Sequence, residues 1–155
     1  MSEEPGPVAV AGGPVLLATR FEPEAAASAR VAALLADGLD RELVVLYVAV
    51  EMDTAPLVAS HAGLEEDAVE ADILARLEER AREHATDWFP GRRFEVVVGR
   101  GPVVDTILDH VEDRDACFLV VGHHEHGPLA RLFGVDPAHD LLERSSRPVV
   151  VVPLE

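Results

Sequence analysis

The 155-residue chain contains no lysine, asparagine or glutamine, and its only cysteine is Cys117. A single cysteine excludes an internal disulfide, which is typical of a protein kept in a reducing compartment. Cys117 lies within the apolar run ACFLVV. We therefore expect its thiol to be buried in the core and unreactive.

Positive charge is also scarce. The chain has 13 arginines and 29 acidic residues, and its formal net charge, with histidine taken as neutral, is −16. Nucleic acid and anionic lipid both bind basic surfaces, so this charge argues against either as a partner. No apolar run approaches the roughly 20 residues that span a bilayer, and the first residues are acidic where a secretory signal is basic. We expect a cytoplasmic protein without a membrane partner.

Apolar residues make up 48 % of the chain, so a chain of this length can bury a core. Continuous Val- and Leu-rich runs alternate with helical segments, which predicts a parallel sheet covered on both faces. Right-handed crossovers then favour an open, doubly wound α/β fold with five strands. We expect residues 1–13 to be a flexible tail and 14–155 to be one domain. The predicted strands are PVLLATR, ELVVLYVAV, FEVVVG, ACFLVVG and PVVVVP.

The first two segments between strands differ in pattern. Pro23 opens an Ala-rich segment that Gly38 closes, as is typical of a helix start and end. The segment 51–63 is predicted to be a loop. A long helix is predicted over 64–88, where Val69, Ile73, Leu77 and Ala81 form an apolar stripe. His84 is expected to pack beside that stripe.

The next helix, over 103–115, is predicted to bury one face and to expose the other. Its inward residues fall at helical spacing, whereas Asp109 and His110 are expected on the solvated face. A short helix is predicted before the last strand. The expected inward residues are Val104, Ile107, Leu108 and Val111.

Ligands of open α/β sheets bind beyond the carboxyl ends of the strands, where strand order reverses. Three loops are therefore candidates for a binding site. They begin at Thr19, Arg20 and Phe21 after the first strand, at Val50 and Glu51 after the second, and at Gly122 after the fourth.

The stretches VVVGRGPVVDTIL, ACFLVVGHHEHGPLARLFG and RPVVVVP, in this order and spacing, resemble the universal stress protein family over residues 14–153. The resemblance implies a fold like that of the adenine nucleotide alpha hydrolases. It also implies a small cytoplasmic protein of the stress response that acts by binding and forms a homodimer. ATP-binding members of the family are similar in a loop G-x2-G-x9-G-[S/T], and tend to carry Asp at the end of the first strand.

This chain departs from that loop. Gly122 matches the first glycine, but Glu125 stands at the second and Gly127 comes two residues late. Gly134 is one residue early, and Val135 replaces the hydroxyl residue. The resemblance thus implies a degenerate nucleotide site and weak ATP binding, with an ATP or AMP sensor as the alternative.

At the first strand, Thr19 and Arg20 replace the family's Asp. The resemblance also implies which positions would bind a nucleotide. They are Thr19, Arg20, Val50, Gly122, Gly127, Gly134 and Val135.

The histidines of the same loop support two other hypotheses. His123, His124 and His126 are chemically suited to Zn, Ni or Cu, although closed zinc sites need four converging ligands. Because imidazole changes charge near pH 6.5, the cluster could also make anion binding depend on pH.

Catalytic chemistry is not indicated. Ser145 and Ser146 lack the G-x-S-x-G elbow and are predicted to be turn and helix-end residues. Asp105 and Asp109 are expected on a solvated helix face. We expect no enzyme, or at most slow ATP hydrolysis.

The last strand suggests a dimer interface. An apolar edge strand is a liability unless it is paired or covered. Val149, Val150, Val151 and Val152 are therefore the expected homodimer strand.

Overall fold

The computed structural model describes residues 11–61, 63–124 and 137–154. Its five strands are β1 (Val15–Thr19), β2 (Leu43–Ala49), β3 (Glu95–Arg100), β4 (Phe118–His124) and β5 (Val149–Leu154). Its helices in the described ranges are α1 (Ala26–Leu39), α2 (Glu51–Ser60), α3 (Glu66–Trp88), α4 (Val103–Asp113) and α5 (Pro137–Arg144), and a short 3-10 turn at Pro23–Ala25 precedes α1.

All four strand pairs are parallel, in the order β3-β2-β1-β4-β5. The chain builds outward from β1 to β3 and then returns to the other side of β1 with β4. This reversal makes the sheet doubly wound, which confirms the predicted fold class.

The core lies on both faces of the sheet because most side chains of the inner strands are covered. Leu17 and Val45 contribute to the layer under α1 and α3, whereas Leu16 and Leu46 contribute to the layer under α4 and α5. None of these four is exposed at all. The alternation follows from the two-residue period of a strand, and burial on both sides explains the uninterrupted apolar runs.

Several expected details are confirmed. Ile73, Leu77 and Ala81 are buried along α3, and Ile107 is buried in α4. Cys117 is fully buried.

The solvated face of α4 is only partly as predicted. Asp109 is exposed, but His110 is half-buried. Burial, followed by the nearby charge of Arg114, lowers the pKa of His110. The reason is close packing of α4 on β3, since the ring Nε2 lies 3.4 Å from where a side chain on Gly99 would start.

The predicted end of the first helix was wrong. Gly38 lies inside α1, and the residue that ends the helix is Asp40, in the left-handed conformation with φ 53° and ψ 51°. Its N–H donates to the carbonyl of Ala36. Asp is one of the few residues other than glycine that visits this conformation readily.

The predicted loop over 51–63 was also wrong, because residues Glu51–Ser60 form α2. The helix contains Pro56 and carries only a weak apolar face. Proline falls within the second turn, so it removes one early backbone hydrogen bond without ending the helix. In the described part of the chain, no helix is both long and apolar enough to cross a membrane.

The position of Gly38 gives a test of the helix end. A side chain at residue 38 meets nothing within 4 Å, so we expect Gly38→Ala to raise the free energy of unfolding by about 0.5–1 kcal/mol. Asp40→Ala should lower it by about 1 kcal/mol, because alanine resists the left-handed conformation. Urea denaturation measures both changes. A destabilising Gly38→Ala would instead indicate that the helix ends at Gly38.

Candidate functional site

The reversal of strand order lies between β1 and β4, and it brings the ends of these strands together. The register pairs Ala18 with Val121, so the residues that follow, Thr19 and Gly122, lie at the same level of the sheet. The helix that follows β1 (α1) packs on one face of the sheet, and the helix that follows β4 (α5) packs on the other. In open α/β sheets this reversal is where ligands bind. Two of the predicted site positions therefore lie side by side at the reversal point.

Thr19 and Arg20 form its β1 side. Thr19 Oγ1 donates to the carbonyl of Arg20 over 2.8 Å. The Arg20 guanidinium lies over the ring of Tyr47, 5.9 Å from its centroid, and its Nε is 3.8 Å from Glu22 Oε1. The Arg20 side chain is 26 % exposed, and its positive charge lies beside the end of β1, on the side of β2.

Phe21, which lies in the same candidate loop, packs among aromatic side chains. Its ring packs against Tyr47 at 5.4 Å and lies nearly parallel to His84 and Trp88 of α3, at 5.4 and 5.2 Å between centroids. This confirms the packing role expected for His84. The aromatic group was missed because its members are far apart in sequence, and only the fold unites them.

Val50 lies one strand further out. It follows Ala49, which pairs with Arg100 at the end of β3. Arg100 in turn binds Glu70 of α3, with 3.1 Å between Nη1 and Oε1. An ion pair between β3 and α3 thus lies beside the end of β2. The spacing of residues along the chain did not indicate this pair.

Gly122 lies against the side chain of Leu154. A Cβ built on Gly122 would overlap Leu154 Cδ1 and would lie 2.9 Å from Leu154 Cγ. Leu154 reaches this space from the end of β5, where the register pairs His124 with Leu154 and Gly122 with Val152. The side chain of Leu154 therefore occupies the space that a Cβ at residue 122 would take.

The histidine cluster is only partly within the described residues. His123 and His124 belong to β4 and pair with Pro153 and Leu154. Among the residues that the structure describes, no three His, Cys, Asp or Glu side chains converge as metal ligands. The other predicted positions of this loop (Glu125, His126, Gly127, Gly134 and Val135) lie outside the described residues.

The polar residues near the last helix have structural partners. Asp105 of α4 accepts a 2.6 Å hydrogen bond from Arg144 of α5, which ties the two helices together. Ser145 Oγ donates to the carbonyl of Arg147 and accepts from its N–H, at 2.8 and 3.1 Å. The predicted turn role of Ser145 is confirmed.

A doubly wound sheet whose strand order reverses between β1 and β4 belongs to the class of open α/β folds. Within that class, the model of the universal stress protein family matches residues 13–153. The chain therefore belongs to the universal stress protein family. No curated protein sequence is similar enough to the chain to count as a match.

Solved structures share the fold at low identity. A universal stress protein in complex with cAMP is 20 % identical, with a TM-score of 0.62 over 94 % of this chain and 99 % of that one. A universal stress protein from Archaeoglobus fulgidus in complex with dAMP is 17 % identical, with a TM-score of 0.52 over 92 % and 98 %. UspA from Lactobacillus plantarum is 17 % identical, with a TM-score of 0.57 over 90 % and 97 %.

The contact between Gly122 and Leu154 can be tested by a double-mutant cycle. We expect Gly122→Ala to destabilise the fold by about 1–3 kcal/mol, because the new methyl group overpacks against Leu154. Leu154→Ala vacates that space, so Gly122→Ala should cost much less in its presence. Denaturation of the four proteins measures the coupling, and additive effects would show that Gly122 is required for another reason.

Proposed function

We propose that this universal stress protein acts in the cytoplasmic stress response by binding, without catalysis, and that it binds ATP only weakly. The observation that carries the proposal is the filled space above Gly122. Glycine serves a phosphate site by letting the ligand approach the backbone, but here Leu154 takes that approach. The glutamate at position 125 adds a negative charge to the same loop.

ATP affinity is the direct test. A hydrogen bond to a charged group contributes about 1.5–3 kcal/mol, so the loss of two such bonds weakens binding by two or more decades. In calorimetric titrations with Mg²⁺ and ATP we expect a Kd of about 0.1 mM or weaker. A Kd in the micromolar range would overturn the proposal.

An AMP-type mononucleotide is the second candidate, and Arg20 favours it. Its guanidinium lies over Tyr47 beside the end of β1, and one phosphate needs one cationic partner. Two similar structures hold cAMP and dAMP. A single phosphate also brings less negative charge than ATP to a protein of net charge −16.

For this candidate, we expect Arg20→Ala to weaken AMP binding about tenfold, the effect of about 1.4 kcal/mol. Arg80→Ala is the matched control. Arg80 is exposed on α3, so this substitution removes the same charge at a distant place. Calorimetry with AMP measures both variants. Equal affinities in the two variants, or no binding to the unmodified protein, would remove the mononucleotide proposal.

We also propose that the protein is a homodimer joined through β5. Leu119 N–H donates to the carbonyl of Pro148, and Leu119 pairs with Val149. In a parallel ladder this places the backbone groups of Val149 and Val151 on the outer side of β5. Pro153 follows on the same side without an N–H, so the outer edge offers two donors. Val149, Val150 and Val151 are each only half-buried.

The proposed dimer depends on the outward-facing backbone N–H groups of Val149 and Val151. We expect light scattering to give twice the chain mass of 16.7 kDa, and Val151→Pro to give the single-chain mass. Proline removes a donor that faces away from β4, so the internal ladder is kept. Val151→Ile retains the N–H and should remain dimeric. A monomeric unmodified protein, or a folded dimer of Val151→Pro, would contradict the proposed interface.

A further inference from the structure

Helix α2 and the turn that follows it pack on the domain through one side only. Thr54 is 5 % exposed, and Leu57 and His61 are partly buried. These residues are spaced three and four apart, so they share one face. His61 Nε2 lies 2.5 Å from Asp72 Oδ2, which attaches the end of α2 to α3. The remaining described side chains of α2 face solvent.

The solvent-facing side of α2 is mostly apolar and carries no charge. Its exposed side chains are Ala55, Pro56, Val58, Ala59 and Ser60. Val58 is 48 % exposed, and Leu64, just beyond the helix, is 65 % exposed. Two hydrogen-bonded turns join them, since the His61 N–H donates to the carbonyl of Val58 and the Leu64 N–H to that of His61. The exposed side of a helix ordinarily carries charged and polar residues, whereas exposed apolar groups that lie together mark interaction sites.

Negative charge borders this apolar group. Residues 51–75 contain seven acidic residues and no arginine, so they supply almost half of the net charge of −16. Two of the seven are in ion pairs with arginines from outside the segment. Glu65, Glu66 and Asp67, which come directly after Leu64, are exposed and form no ion pair with any described residue. The apolar group is therefore next to carboxylates that lack a cationic partner within the described part of the chain.

We propose that these exposed apolar side chains form a docking surface for a basic amphipathic helix of another protein. The α2 surface, as we name it, consists of Ala55, Pro56, Val58, Ala59 and Leu64. The apolar face of the partner helix covers Val58 and Leu64, and its arginine or lysine side chains lie against the carboxylates of residues 65–67. Amphipathic helices are commonly recognised by apolar surfaces, and complementary charge at the border selects the partner and its orientation.

The charge of the chain disfavours other occupants of the α2 surface. A second copy carries the same net charge of −16 and would bring the same acidic border to the contact. An anionic lipid surface is repelled for the same reason. None of the five side chains is a predicted nucleotide position, so the inference goes beyond nucleotide binding and does not depend on it.

Binding of a synthetic peptide tests the proposal without any nucleotide. The probe is a peptide of about 18 residues made of leucine, alanine and arginine, with the leucines at the spacing of one helix face. A scrambled peptide of the same composition carries the same charge without that face. We expect fluorescence anisotropy to give a Kd of about 10 µM for the probe and a Kd at least about tenfold weaker for the scrambled peptide. Equal affinities, or no binding of the probe, would overturn the proposal.

Val58→Glu distinguishes an apolar contact from attraction by charge alone. It removes an apolar side chain and adds a negative charge, so the docking surface predicts about tenfold weaker binding of the probe, whereas attraction by charge alone predicts tighter binding. Glutamate forms helices at least as well as valine, so α2 should keep its conformation. Leu64→Glu should weaken binding in the same way. Leu34→Glu is the matched control, because Leu34 is 66 % exposed on α1, and it should bind the probe like the unmodified protein. Undiminished binding by Val58→Glu, or equal weakening by Leu34→Glu, would contradict the docking surface.

The acidic border has its own test. Glu65→Gln combined with Glu66→Gln should weaken binding of the probe about threefold, the effect of exposed ion pairs. Glu79→Gln combined with Glu83→Gln removes the same charge from exposed positions further along α3 and should have a smaller effect. Equal effects of the two pairs would show that the probe responds to the net charge of the chain and not to the border of the α2 surface.

Discussion

The hydrogen-bonded pairing of β1 with β4 is the constraint on which the rest of the molecule depends. Val15, Leu16 and Leu17 of β1 are completely buried between β2 and β4. Because β4 returns to the side of β1 opposite β2, the helices that follow the two strands pack on opposite faces of the sheet. The reversal point, the place of Arg20 near it and the level of Gly122 all result from this single pairing.

The sequence allowed the sheet to be predicted because burial on both faces leaves a continuous apolar run that no surface strand shows. It did not allow α2 to be predicted, since that helix buries little and has almost no apolar periodicity to detect. Asp40 was overlooked as a helix end because glycine is the commoner residue there, and Gly38 stood two residues away.

The candidate site was predictable in location and less so in chemistry. Fold topology alone placed Thr19, Arg20 and Gly122 near the reversal of strand order. The contact of Gly122 with Leu154 was hidden, because Leu154 lies on another strand. The aromatic packing of Phe21 was hidden for the same reason. The sheet determines which distant segments contact one another. The spacing of residues along the chain does not reveal those contacts.

The two edges of the sheet differ in a way that bears on assembly. β5 presents half-buried valines at its edge, whereas β3 begins and ends with the exposed residues Glu95 and Arg100. Glu95 is in an ion pair with Arg114, which follows α4, and Arg100 is in an ion pair with Glu70 of α3. Association of β5 with β3 of another copy would be heterologous, so it would repeat from copy to copy unless it closed into a ring. The charged ends of β3 disfavour that contact, and with it open-ended polymerisation.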